Sequence, residues 1–288
     1  MANIKLIPIL RDRTGAGMMD CRKALDACND DVEKAIDWLR ENGIAKAAKK
    51  SGRIAAEGLS VVAVNGNDAA LIEVNCETDF VCANADFKTL IKQIANVIVN
   101  NKPATMEEAN ALVVVDGQTV ADLVVAATAK IGEKISFRRF AVLTKSDEET
   151  FGTYLHAGGK KGAIVVLAGG DEEVASNMGM QIVATVPSYI KKSEVPTEYV
   201  EKELQIRIDA AVAQGRPLNE KAYAGMRNKI AEEVALESQE FILEDKVNVG
   251  SYLARVHAEV KQMVYYIVGE GIEKKQEDFA AEVMSQIK

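Results

Sequence analysis

The 288-residue sequence predicts an α+β protein with a small three-helix head, two similar mixed core halves, an inserted antiparallel coiled-coil hairpin and a C-terminal helix. Three observations predict it. The first fifty residues carry helical periodicity and no alternating run. An order of hairpin, helix, helix and strand that begins near Gly58 returns after Phe151. The second copy is interrupted between Thr197 and about Ala235 by a polar, charged, helical stretch. The expected boundaries are 1–54 for the head and its linker, 55–145 for the first half, 146–275 for the second with its insertion at about 197–235, and 276–288 for the C-terminal module.

The head reads as three short helices. Pro8 suits a first helical turn, so the first helix is expected from about Pro8 to Thr14, and Gly15 and Gly17 make the turn. Met18, Cys21, Leu25 and Cys28 then share one face of a second helix over Met18–Ala27. Asp30 with Glu33 has capping-box spacing for a third, whose stripe is Val32, Ala35, Ile36 and Leu39. Asn42-Gly43 is expected to end it. The basic, Ala-rich run Ile44–Arg53 reads as a helical linker leading away from the head.

The body opens with two apolar runs, LSVVAV and AALIEV, around Asn65-Gly66-Asn67-Asp68, a hairpin pattern. Phe87, Leu90, Ile91, Ile94, Val97 and Ile98 recur at helical spacing. A helix near Val120–Ala129 and a strand near Lys134–Leu143 complete the first copy. In the second, TYLHA and GAIVVLA flank Gly158–Lys161 as a hairpin, and Asp171–Thr185 forms a helix with Val174, Met178, Ile182 and Val183 inward. Gly250–Lys261 as helix and Gln262–Val268 as strand close it. In the insertion, Leu204, Ile208 and Ala211 face one way on the first arm, and Met226, Ile230 and Val234 on the second, with a break at Gly215-Arg216-Pro217. Phe279, Val283 and Ile287 mark the terminal helix.

Composition narrows the function. The chain is 48% hydrophobic and 27% charged, as expected of a globular protein with a sizeable core. Its net charge of −8 disfavours bulk nucleic-acid binding. The charge is uneven: residues 1–54 carry +3 and the rest −11. A basic head on an acidic body fits an acidic partner surface. Cys21, Cys28, Cys76 and Cys82 contain no C-x-x-C pair, so a zinc site is not expected. Read plainly, they are small packed thiols of a reducing compartment. The start MANIKLIPILRDR lacks a signal-peptide core, and no apolar run reaches the roughly 18 residues of a membrane span. A cytoplasmic protein is expected.

A search for bond-making chemistry returns little. His156 falls on an expected strand and His257 in an expected helix, and neither has a nucleophile motif beside it. Gly158-Gly159-Lys160-Lys161-Gly162 resembles a phosphate loop only superficially, because it leads into a strand where phosphate cradles lead into a helix. No metal ligand set, cofactor motif or acid/base pair is expected, so the chain reads as a binding protein and not an enzyme.

Two stretches stand out. In Thr14–Leu25, TGAGMMDCRKAL, adjacent methionines cannot both point inward, since helical neighbours lie about 100° apart. If Met18 packs with Cys21, Met19 faces out, where a flexible thioether suits a protein contact. Loose core filler is the plain alternative. In Asn75–Asn84, NCETDFVCAN, Phe80 lies outside both apolar periodicities, in an expected loop where Asp79 can cap local donors. An aromatic so placed suits a wedge for a partner's groove; folding back onto its own half is the plain alternative.

These two motifs, with VGEGIEKK and DFAAEV near the C-terminus, resemble translation elongation factor Ts. They occur in order and span nearly the whole chain. The resemblance implies a ubiquitin-associated-like head, a two-part core, a coiled-coil hairpin and one partner, the GTPase elongation factor Tu. It implies head contacts through Met18, Met19 and Arg22. The loop Thr78, Asp79, Phe80, Val81 and Cys82 would intrude near the partner's magnesium site, and His156 would add a contact from the second half. The implied function is guanine nucleotide exchange without covalent chemistry. An adaptor acting through the head alone and a small-molecule enzyme are the alternatives. The chain departs from the pattern at Arg22 (lysine is common), Cys82 (alanine is usual), Gln181 (histidine expected), Lys161 (an apolar residue replaced) and Tyr265-Tyr266 (a more basic stretch replaced). The last three bear on the second half's contact.

Overall fold

The computed structural model describes residues 2–215 and 219–273. The expected terminal helix and the Arg216-Pro217 break lie outside them. In chain order the helices and strands are α1 (Leu6–Thr14), α2 (Met18–Ala27), α3 (Val32–Lys50), β1 (Glu57–Asn65), β2 (Asp68–Cys76), α4 (Asp79–Ala83), α5 (Ala85–Asn101), α6 (Met106–Ala111), β3 (Val113–Val115), β4 (Gln118–Thr119), α7 (Val120–Ile131) and β5 (Ser136–Thr144). They continue with β6 (Glu149–His156), β7 (Lys161–Ala168), α8 (Glu172–Thr185), α9 (Thr197–Ala213), α10 (Glu220–Val234), α11 (Val249–Arg255) and β8 (Glu259–Ile267). The sheets have orders β1-β2-β5, β3-β4 and β6-β7-β8. Mixed helix and sheet agree with the α+β class. The chain forms two compact units: the described parts of 1–61, 72–140 and 267–288 make one, and 62–71 with 141–266 the other.

In the first unit, α1 to α3 enclose Ile7, Leu10, Cys21, Ala24, Leu25 and Ala35, with Val32, Trp38 and Leu39 against them. Gly15 ends α1 at φ +63°, a left-handed position. Asp31, not Asp30, caps α3 by accepting the Lys34 N–H; Asp30 instead accepts the Asn3 N–H. The expected stop at Asn42-Gly43 does not occur. Gly43 is buried, and a Cβ there would sit 3.4 Å from Ala129 Cβ, so this glycine lets α3 lie close along α7. The Ala-rich run beyond it has high helix propensity and keeps the helix going to Lys50. The linker is thus the second half of α3. Arg40–Asp122 and Lys50 Nζ donating to Gly132 O fasten it to α7.

The deepest polar group of this unit is Glu73 on β2, fully buried. Its carboxylate accepts from Arg138 (3.0 Å), Arg139 (2.6 Å), Asn75 Nδ2 (3.1 Å) and the Gly269 N–H (2.9 Å). Arg139 also donates to Ile267 O, and Arg138 to Glu270 O. Gly269 sits at φ +76° with no room for a Cβ, which would meet Ala56 O at 2.1 Å. That accounts physically for the glycine in the V-G-E-G stretch.

In the second unit β6 and β7 pair antiparallel, from Glu149 opposite Ala168 to His156 opposite Lys161. Their turn is Ala157–Lys160, and Lys161 of the Gly-Gly-Lys-Lys stretch already belongs to β7. Alternation along β7 splits its side chains between two layers. Ala163, Val165 and Leu167 join Val174, Met178, Ile182, Phe241, Tyr252 and Leu253, whereas Ile164 joins Ala69, Leu71 and Tyr266. Helix α8 comes so near β6 that a Cβ on Gly152 would lie 1.8 Å from Ala175 O. The expected helix through Lys261 stops at Arg255: His257 takes φ +54°, and β8 starts at Glu259. In the insertion Val200, Leu204, Ile230 and Ala231 are buried between α9 and α10, with Ile208 and Met226 alongside. Ion pairs Arg227–Glu201 and Arg207–Glu233 flank that stripe.

Two outcomes follow from this packing. Gly152→Ala is expected to destabilise by about 2 kcal/mol or more in denaturant unfolding, because a backbone carbonyl has to move. Burial alone would push the Glu73 carboxyl up, but the Gly269 N–H and then Arg139 and Arg138 outweigh it and hold it below the usual range. Its stabilising contribution is therefore complete above the ordinary glutamate range near about 4.3 and is lost as pH falls through the depressed folded value. Glu73→Gln is expected to cost about 3 kcal/mol at pH 7 and to flatten the stability slope in that acid window, measured by denaturation at stepped pH.

Candidate partner interface

The segment Cys76–Asn84 leaves the end of β2, turns once through α4 and enters α5. Its shape follows from what holds each residue. The Thr78 N–H and hydroxyl donate to the two oxygens of Glu133, at 2.9 and 2.7 Å. Thr78 is thus the N-cap of α4, though its hydroxyl is spent on Glu133 and not on the helix. Glu77 accepts from Arg53 and from the Lys134 N–H, and Lys134 Nζ donates to Arg53 O. At the far end Asn84 caps α5 by accepting the Asp86 and Phe87 N–H groups. Two carboxylates and one amide therefore hold both ends of a nine-residue turn.

Within that frame the side chains divide sharply. Val81 and Cys82 are buried and anchor α4 to the unit. Phe80 points away and is 84% exposed, the most exposed large hydrophobic side chain among the described residues. Asp79 is exposed beside it as the first residue of α4. The expected loop is thus a helical turn, and the backbone donors expected for Asp79 are met by Glu133 and Asn84. A ring on a clamped support loses little freedom on contact, which favours binding. Left in water it gives up a burial gain of about 2 kcal/mol.

Met18 and Met19 are both exposed, 60% and 61%, at the start of α2. Met18 was expected inward with Cys21. Cys21 does turn inward, donating to Ala16 O, but the glycine N-cap starts the helix where no core lies over its first turn. Arg22 is half-exposed on the next turn, with its Nε 3.9 Å from Asp26. The two methionines and Arg22 thus form an exposed, adaptable surface on the head. Lys130 of α7 bridges the head and the α4–α5 region: it pairs with Asp86 at 2.9 Å and lies against Gly15.

His156 ends β6 in the second unit, exposed and stacked on Tyr154 with ring centroids 6.2 Å apart. Gln181 is wholly buried. It donates to Glu240 O and accepts the Ile242 N–H, so it braces its own unit. Tyr265 and Tyr266 likewise pack inward. These departures are thus internal fittings. Sequence reasoning missed Glu133, Glu77 and Arg53, which lie up to 81 residues from their partners; the carboxylate just past the Gly132 helix stop was the one local signal. It also missed that Cys76 and Cys82 meet, although C-x5-C brackets the segment. Among the described residues no group of three or more His, Cys, Asp or Glu could hold a metal ion, and no helix is long and apolar enough to cross a membrane.

The family model described as Elongation factor TS matches residues 77–270, from the second residue of this segment to the turn held by Glu73. Elongation factor Ts of Lacticaseibacillus casei (strain BL23) is 50% identical over 281 residues, 97% of this chain and 96% of that protein. Elongation factor Ts of Lacticaseibacillus paracasei (strain ATCC 334) is equally similar over the same shares. A clamped turn with an outward aromatic, an exposed methionine pair and this degree of identity agree: the chain belongs to the elongation factor Ts family.

Proposed function

We propose that this chain opens the nucleotide site of elongation factor Tu, using Phe80 as a wedge. Its family is one of translation elongation factors that exchange nucleotide and make or break no covalent bond. The observation that carries the finer reading is the 84% exposure of Phe80 on a turn held at Thr78 and Asn84, with Val81 and Cys82 buried behind it. In this reading Phe80 inserts into the partner's nucleotide domain with Asp79 beside it. The insertion displaces groups that organise Mg²⁺ and the phosphates. Magnesium neutralises phosphate charge, so disturbing its coordination weakens GDP binding. Thr78 and Val81 hold the turn, with Cys82 behind them. Met18, Met19 and Arg22 grip the partner from a head of the ubiquitin-associated type, and His156 adds a contact from the second unit. The reaction takes place in the cytoplasm, where the partner is.

Linkage sets the direction. An exchanger must bind the nucleotide-free partner more tightly than the GDP form, and GDP then weakens its binding by the same factor. Rebinding of GTP releases it.

The test is stopped-flow release of a fluorescent GDP from elongation factor Tu. The native chain is expected to accelerate release, and Phe80→Ala to lose roughly tenfold or more of that acceleration at saturation, since a tenfold change corresponds to about 1.4 kcal/mol. Release that is unaltered in the variant would remove Phe80 from the mechanism. No acceleration by the native chain would overturn exchange and favour an adaptor acting through the head. The double variant Met18→Ala with Met19→Ala is expected to raise the concentration needed for half-maximal release several-fold while leaving the saturated rate near native. A fall in the saturated rate alone would contradict a gripping role.

A further inference from the structure

Cys76 and Cys82 bracket the wedge and meet beneath it. Their sulfurs are 3.7 Å apart, one at the end of β2 and the other on α4. Neither thiol is in a disulfide. Cys76 Sγ donates to Thr78 O and Cys82 Sγ to Gly58 O, so both point into the space between the strand end and the turn. A disulfide needs about 2.05 Å between sulfurs, so closure asks for a relative movement of about 1.7 Å. One side can give. Cys82 sits on a five-residue helix, whereas Cys76 is fixed beside Asn75 and the Glu73 network.

We propose that Cys76 and Cys82 are a redox-active dithiol, and that a peroxide closes them into a disulfide that retracts α4 and disables the wedge. Cys82 is the thiol nearer solvent, 8% exposed against 0% for Cys76. Its thiolate attacks one peroxide oxygen and the O–O bond breaks, giving a sulfenic acid and, after protonation, water. Cys76 then attacks that sulfur, the S–O bond breaks and a second water leaves. In sum two thiols and one hydrogen peroxide give one disulfide and two waters. The peroxide is the two-electron oxidant, and a thiol reductant reverses the change. Closing the ring breaks the Cys82 bond to Gly58 O and pulls the base of α4 toward β2. Phe80, two residues before Cys82, moves with it. In the head, Cys21 is buried, and burial pushes its thiol up, away from the reactive thiolate.

The chemistry can be read apart from exchange. No lysine or arginine lies between Arg53 and Lys88, so one tryptic peptide, 54–88, carries both cysteines. The reduced full-length chain is treated with near-stoichiometric hydrogen peroxide, alkylated and digested. Peptide 54–88 is expected two hydrogens lighter and unalkylated, and a thiol reductant should return two alkylation sites. Cys76→Ala, or Cys82→Ala if the first does not fold, should abolish the lighter peptide. A peptide that stays doubly alkylated, or that gains oxygen instead, overturns the dithiol.

The effect on the wedge rests on the exchange reading and is measured on the same samples as release of fluorescent GDP from elongation factor Tu. The oxidised chain is expected to be at least tenfold slower than the reduced chain, with recovery on reduction and no oxidised-to-reduced difference in Cys76→Ala. Equal rates for a chain shown to carry the disulfide overturn the regulation. If the reduced chain fails to accelerate release while the lighter peptide forms, the exchange reading falls and the dithiol chemistry remains.

Discussion

The buried carboxylate of Glu73 fixes the geometry on which the rest of the first unit depends. The core is built mostly from alanine, valine, isoleucine and leucine, with Phe87 and Phe137, whose contacts are strong but non-directional. A carboxylate out of water is tolerable only if its acceptor sites are filled. Two guanidinium groups and two N–H donors fill them, and they come from β2, β5 and the turn after β8. One side chain therefore registers three stretches separated by up to 196 residues. Asn75, which shares this carboxylate, also donates to Glu57 O, and the next residue opens the Cys76–Asn84 segment. The turn that presents Phe80 thus grows directly from the most rigidly specified point of the unit.

That support explains how so exposed an aromatic can remain usable. A phenylalanine on a loose loop would collapse onto the nearest apolar surface. Here Val81 and Cys82 are committed inward, Thr78 is held by Glu133, and Asn84 starts a seventeen-residue helix whose buried face runs from Phe87 to Val99. The backbone leaves Phe80 no inward option. The head follows the opposite strategy. Met18 and Met19 sit where a helix begins over no core, and their long thioether chains can adapt to a surface that moves. In the proposed exchange, a rigid ring combined with a compliant grip would suit a partner whose nucleotide site changes shape while it is held.

Local periodicity carried much of the fold. The inward faces of α5 and α8 and the β6–β7 hairpin could be read from spacing alone, because a helix or strand buries one face wherever it packs. The failures share a cause. Asn42-Gly43 looks like a helix stop until Ala129 is known to lie against Gly43. Met18 looks buried until the head proves to have no layer above the first turn of α2. His257 looks helical because nothing nearby in sequence reveals its left-handed turn. Around the site, Phe80 stood out by breaking both periodicities, but Glu133 and the Cys76–Cys82 encounter depend on contacts that no local pattern encodes. Gln181 was the reverse case. It is a polar residue in a helical stripe that invites a functional reading, yet its amide is spent within its own unit, on Glu240 O, the Thr185 hydroxyl and the Ile242 N–H.

Magnitudes limit how much one residue can do in the proposed exchange. Transferring a fully exposed phenylalanine into an apolar groove yields about 1.5–3 kcal/mol, roughly ten- to a hundredfold in an equilibrium constant. Part of that gain is spent in parting the groove. A wedge alone therefore cannot both bind the partner and oppose a magnesium-assisted diphosphate. The remaining free energy has to come from surfaces that bind whether or not nucleotide is present, and the head and the second unit are the candidates. Such contacts hold the complex without favouring either nucleotide state, so they set affinity; only an interaction incompatible with the intact magnesium site can set the coupling. This division gives the clamps around Phe80 their importance. A wedge that yielded by an ångström would still allow binding but would lose the difference between the two states on which exchange depends.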